Sequence, residues 1–99
     1  MEQKKESAQA PLLEVMLRNL GTVNKNRVTL RTKKGHVVLY FSYETLVAVD
    51  GVVSENDWST TTGKLLNELE PNKKARVSHE EVLTQANKRI SAILEVALK

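Results

Sequence analysis

The chain is expected to fold as an α+β protein, an antiparallel three- to four-stranded sheet in meander order packed with an N-terminal helix and two C-terminal helices. Three observations predict it. Val28 and Leu30 alternate with Arg27, Thr29 and Arg31; Asp50-Gly51 separates two short apolar runs; and Ser78 followed by Glu81 opens a long amphipathic stretch. At 99 residues the chain can bury one core and is too short for a second. Residues 1–9 are expected to form a flexible tail and residues 10–99 a single α+β domain.

The first element is expected to be a helix over residues 11–20. Pro11 suits a first helical position, where its missing N–H has no partner to lose, and Gly21 supplies the left-handed residue that commonly ends a helix. Leu13, Met16, Leu17 and Leu20 recur at helical spacing, the pattern of a core face. Residues 27–33 then alternate with period two, Val28 and Leu30 on one side and Arg27, Thr29, Arg31 and Lys33 on the other, as in a half-buried strand. Lys34-Gly35 offers a turn. Residues 36–42 return as a strand rich in β-branched and aromatic side chains, apolar on both faces and hence central. Residues 46–49 and 52–54 flank Asp50-Gly51, the two-residue hairpin signal whose residues both take positive φ, so Val49 should stand opposite Val52.

Two helices follow. Asp57 or Ser59 can cap a helix from about Thr60 to Leu69 that buries Leu65, Leu66 and Leu69 before Pro71 stops it. Gly63 costs that helix about 1 kcal/mol of propensity, which points to close packing. The last helix begins at a capping box, Ser78 with Glu81, and a staple of Val77 on Val82. Its core stripe is Val82, Ala86, Ile90, Ile93, Leu94 and Ala97, with Leu83, Val96 and Leu98 left for the core or a homodimer contact.

Composition removes several function classes. With no cysteine there is no disulfide, thiolate metal site or cysteine nucleophile. No apolar run approaches the ~20 residues that span a bilayer, and the basic start of the chain lacks the apolar segment of a signal peptide. His36 and His79 lack acidic or sulfur partners at ligand spacing, so both read as surface residues and no metal is expected. Thr62-Gly63-Lys64-Leu65 lacks the earlier glycine and the following Ser or Thr of a phosphate-binding loop. Asp50 is taken by the turn and Asp57 is a cap candidate, leaving no carboxylate pair for acid–base work. No nucleophile–base set can be assembled, so the chain is expected to be non-enzymatic, with no catalytic residue, cofactor or small-molecule ligand.

One stretch carries a resemblance. Phe41-Ser42-Tyr43-Glu44-Thr45-Leu46-Val47-Ala48, then Asp50-Gly51, then Trp58-Ser59-Thr60-Thr61-Thr62-Gly63-Lys64-Leu65-Leu66-Asn67 resembles a pattern in small uncharacterised proteins of archaeal filamentous viruses, the lipothrixviruses and rudiviruses, and of some phages. The resemblance implies a thermostable viral protein acting in the host cytoplasm, and it brings over no catalytic residue.

Charge placement is the main functional signal. From Arg18 to Tyr43 there are six basic residues (Arg18, Lys25, Arg27, Arg31, Lys33, Lys34) and no acid, while Glu44 to Glu70 holds six acids against Lys64 alone. Arg27, Arg31 and Lys33 fall on one face of a strand, about 7 Å apart for residues two positions on, close to successive phosphates. With Lys34 they are the candidate contacts for DNA or RNA, bound through phosphates without sequence readout. The alternative is a solvated face whose lysines blunt aggregation. Trp58, Tyr40 and Tyr43 are assigned to the core rather than to base stacking. A second class of function is a protein-interaction module that self-associates, as a homodimer, through the last helix or an exposed strand edge.

Overall fold

A computed structural model describes residues 13–22 and 24–97. It is α+β: a five-stranded antiparallel sheet in the order β1-β2-β3-β4-β5 and two helices. The strands are β1 (Glu14–Asn19), β2 (Lys25–Thr32), β3 (Gly35–Ser42), β4 (Thr45–Val49) and β5 (Val52–Val53); α1 is Thr60–Leu69 and α2 is His79–Ala97. A single 3-10 turn, Lys73–Ala75, lies between the helices.

The expected N-terminal helix over residues 11–20 is not formed, because Glu14–Asn19 is strand β1. Its apolar residues do recur at helical spacing. However, Val15 and Leu17 also alternate with Glu14 and Arg18, and a helix of ten residues is marginal alone. Pairing with β2 gives every residue of β1 a cross-strand partner, from Glu14 opposite Arg31 to Asn19 opposite Asn26. Gly21 is left-handed as anticipated, at φ 106°, but it turns the β1–β2 hairpin instead of ending a helix. Pro11 and the expected tail over residues 1–9 lie outside the described residues. With β1 and the two-residue β5 the sheet has five strands, not three or four.

The hairpin around Asp50-Gly51 forms as its residues require. Asp50 has φ 52°, Gly51 φ 119°, and Val49 pairs with Val52. Asp50 also extends the β3–β4 ladder: its amide donates to the Val38 carbonyl at 2.8 Å and its Oδ1 accepts from the Val38 amide at 2.9 Å. Its Oδ2 meets Arg89 Nη1 of α2 at 3.2 Å. Asp50→Ala should therefore cost about 1–3 kcal/mol in denaturant melts, since it removes the acceptor for a half-buried amide. Asp50→Asn keeps that acceptor and tolerates the left-handed backbone, so it should lose under about 1 kcal/mol, the worth of a partly exposed ion pair. Equal losses would show that the ion pair, not the amide acceptor, is what matters.

Both helix starts are capped. Ser59 Oγ accepts from the Thr62 amide at 3.3 Å, and Ser78 Oγ accepts from the Glu81 amide at 3.1 Å. Val77 and Val82 share one apolar cluster, as a staple requires. A Cβ on Gly63 would stand 2.8 Å from Asn56 Nδ2, which is the close approach its place in a helix suggested.

The sheet has a core on each side. Val37 and Leu39 of β3 and Val49 of β4 pack with Val82, Ala86 and Ile93 of α2. Val47, Ala48 and Val53 pack with Leu65 and Leu66 of α1, with Tyr40 beside them. Leu39 and Tyr40 are consecutive in β3, so they point to opposite faces, and the two helices cover opposite faces of the sheet. A bulge between Tyr40 and Phe41 reconciles the registers: Phe41 pairs with Leu46 and Tyr40 with Ala48, leaving Val47 as the extra residue. Val47 and Ala48 thereby both serve the α1 core. Val77 ties the last helix to the sheet edge by donating to Val53 O at 2.9 Å and accepting from the Glu55 amide at 2.7 Å.

Candidate nucleic-acid interface

Strand parity sets the site. Val28 and Leu30 pack with the α2 core, so Lys25, Arg27, Thr29 and Arg31 between and around them face the other way. That is the α1 side. There α1 covers β4 and the Tyr40–Ser42 end of β3, where Ser42 Oγ meets Thr62 Oγ1 at 2.7 Å. The same side of β1 and β2 is half-buried or exposed, and Arg27 and Arg31 lie on it together.

Register adds two cations that sequence reasoning left out of the candidate set. Arg18 stands directly opposite Arg27, and Lys25 lies two residues before Arg27 on the same face. Arg18 was lost when its segment was read as a helix. The alternation of Val15 and Leu17 with Glu14 and Arg18 was the signal that could have found it. Lys33 is not on the strand as expected: β2 ends at Thr32, which pairs with Gly35, so Lys33 and Lys34 form the turn. At the turn the Thr32 hydroxyl donates to Ile93 O at 2.9 Å and accepts from the Lys34 amide at 3.1 Å, fixing the end of β2 against α2. Arg27 and Arg31 are four residues apart, about 14 Å, so the expected 7 Å spacing holds for Lys25 and Arg27 instead.

The cations thus form a track along β2, from Lys25 through Arg27 with Arg18 beside it, then Arg31, then the exposed turn of Lys33 and Lys34. Along β2 its length is about 24 Å, from seven steps of strand rise between Lys25 and Thr32. Arg31 is partly committed, since its Nε pairs with Glu14 Oε1 at 3.0 Å with both side chains about half exposed. Such a pair is weak and exchanges readily with a phosphate.

Two aromatic residues stand at the Lys25 end. Tyr43, assigned to the core from sequence, is 53% exposed in the β3–β4 turn at φ 57°. Trp58 is also exposed, its ring meeting His79 edge-on with centroids 5.0 Å apart. Both line one small pocket of about 100 Å³ with Ser42, Thr45 and Thr62. Being at a turn and in a loop, they escape the burial that their composition suggested. Tyr40 does pack against the α1 core.

The remaining polar residues are structural. His79 is half-buried rather than superficial, and its Nε2 bonds the Leu46 carbonyl at 2.9 Å. Arg76 is buried and clamps the end of α1, donating to Glu70 O at 2.9 and 3.0 Å and to Asn67 Oδ1 at 2.6 Å. Among the described residues no group of three His, Asp or Glu side chains is placed to hold a metal ion, and no helix is long and apolar enough to cross a membrane.

Residues 12–85, well over half of the chain, match the model of a family of unknown function, DUF8033. No curated protein and no solved structure matches the chain.

Proposed function

We propose that this chain, which belongs to the family of unknown function DUF8033, is a non-enzymatic accessory protein that binds DNA or RNA through phosphates without reading base sequence. The observation that carries this is the track of Lys25, Arg27, Arg31, Lys33 and Lys34, with Arg18 alongside, on a sheet face that α1 leaves open over β1 and β2. Tyr43 and Trp58 at one end of the track offer exposed rings on which unpaired bases can stack. On α2 the side chains of Gln85 and Arg89 are engaged with Glu81 and Asp50, in keeping with backbone contact alone. The likeness of residues 41–48 and 58–67 to proteins of archaeal filamentous viruses supports a viral role in the host cytoplasm.

Titration against duplex DNA at several salt concentrations tests the proposal. If Arg27, Arg31, Lys33 and Lys34, four of the six cations, each neutralise one phosphate at about −0.9, log affinity should fall with log salt at a slope near −3.6. Raising salt from 50 to 200 mM should then weaken binding by about a hundredfold. Arg27→Ala should reduce the slope by about one unit on every sequence tested, with no change in base preference. Trp58 is the one tryptophan of the chain, so stacking on single strands reads out directly as quenching of its fluorescence. Absence of binding to duplex, single-stranded DNA and RNA at low salt would reduce the basic track to a solvated face.

A second reading rests on a different surface. Leu13, Val15, Met16 and Leu17 are exposed on or beside β1, which has β2 on one side and, among the described residues, no strand on the other. An apolar, unpaired edge of this kind suits a protein-interaction module that self-associates.

A further inference from the structure

We infer that β1 is a self-complementary dimer edge, pairing antiparallel with β1 of a second copy about a twofold axis at Met16. This deepens the self-association reading, on which it rests, and does not require that the chain bind nucleic acid. In that register Glu14 faces Arg18 of the second copy, Val15 faces Leu17, and Met16 faces Met16.

Backbone parity selects registers of this kind. The Leu20 amide donates to the Lys25 carbonyl at 2.8 Å, continuing the β1–β2 ladder in which residue numbers of partners sum to the same value. Antiparallel ladders bond at alternate residues, so Leu20, Arg18, Met16 and Glu14 turn their N–H and C=O toward β2. Val15, Leu17 and Asn19 turn theirs to the open edge. Pairing Val15 with Leu17 of another copy joins two residues that both present their backbone groups outward. The result is one continuous ten-stranded sheet with each Val15–Leu17 pair exchanging both bonds.

Side-chain chemistry then chooses one register. Shifting the twofold by one residue in either direction places Glu14 or Arg18 opposite Met16 and leaves the other charge without a partner. Only the axis at Met16 sets opposite charges against each other twice. It also does so at non-hydrogen-bonded positions, where cross-strand side chains come closest.

The monomer shows why a carboxylate is wanted there. Arg18 stands opposite Arg27 within its own sheet, a like-charge pair that is unfavourable across a ladder. Glu14 of a second copy would flank Arg18 on its free side. Across the joined face the order becomes Tyr40, Arg27, Arg18, then Glu14, Arg31 and His36 of the second copy. Each carboxylate would sit between two arginines.

The opposite face supplies the apolar part. Val15 pairs with Leu30 and Leu17 with Val28, so both lie on the α2 side of the sheet. There they are 60% and 70% exposed, because α2 packs chiefly over β2 to β5. Pairing brings two Val15–Leu17 couples side by side and removes both from water.

The test is a charge-swap mixing experiment on the full chain by light scattering and sedimentation over a wide concentration range. Wild type should move from monomer to dimer as concentration rises. Glu14→Arg alone and Arg18→Glu alone each place like charges across the twofold and should weaken self-association by roughly tenfold or more. An equimolar mixture of the two variants restores both opposite-charge pairs and should dimerise. Leu17→Pro removes an outward N–H while sparing the β1–β2 ladder, so it should abolish the dimer with the circular dichroism of the fold retained. Wild type that stays monomeric at millimolar concentration would overturn the inference. So would a dimer unaffected by Leu17→Pro, or a mixture of charge variants that does not associate.

Discussion

Ile93→Ala is expected to lower the unfolding free energy by roughly 2–5 kcal/mol, the range for removing a buried aliphatic side chain and leaving a cavity. Ile93 is 6% exposed and lies in the α2 core with Val37, Leu39 and Val49, beside the β2–β3 turn at Gly35. Its backbone is also held, because Thr32 donates to the Ile93 carbonyl from the end of β2. Collapse around a truncated side chain is thereby restricted, which favours the upper part of the range. Ile90, one turn earlier, is only half-buried, so Ile90→Ala should cost clearly less. Lys88 is exposed on the outer side of α2, and Lys88→Ala should change stability by under about 0.5 kcal/mol. Denaturant melts rank the three. Equal small losses would mean that α2 is peripheral or rotated about its axis.

Leu66→Ala should be as costly, again roughly 2–5 kcal/mol, although α1 is half the length of α2 and carries a helix-weakening glycine. Leu66 is fully buried against Val47, Ala48 and Val53 on the other side of the sheet. If the two helices cover opposite faces, Ile93 and Leu66 share no side-chain neighbours. Their losses should then add in the double variant within about 0.5 kcal/mol. Strong non-additivity would show that the two clusters are one, with both helices on the same face. The bulge at Val47 is what makes this core: without the extra residue, β4 could not offer consecutive positions to α1.

The candidate site was legible in part. Arg27 and Arg31 could be placed on one strand face because alternation with Val28 and Leu30 is a local property. Lys33 could not, since whether the turn takes Lys33-Lys34 or Lys34-Gly35 depends on the β2–β3 register, which pairs Thr32 with Gly35. Arg18 required the β1–β2 register, and the exposure of Tyr43 and Trp58 required knowing that one sits at a left-handed turn position and the other in a loop against His79.

The sequence by itself determined the features whose physics is complete within a few residues. Asp50-Gly51 set the hairpin and its Val49–Val52 register, since few other pairs accept two successive positive φ angles. Ser78 set the start of α2 by satisfying an amide three residues ahead, the start of α1 was narrowed to Asp57 or Ser59, of which Ser59 caps it, and the stripe through Val82, Ala86 and Ile93 set the buried side of α2. The tertiary structure alone decided that residues 14–19 are a strand, that the helices divide between the two faces, and that the basic residues of β1 and β2 become neighbours. A strand's backbone bonds are made with partners elsewhere in the chain, so a segment whose apolar residues fit both periods takes its conformation from whichever partner is present. For residues 14–19 that partner is β2.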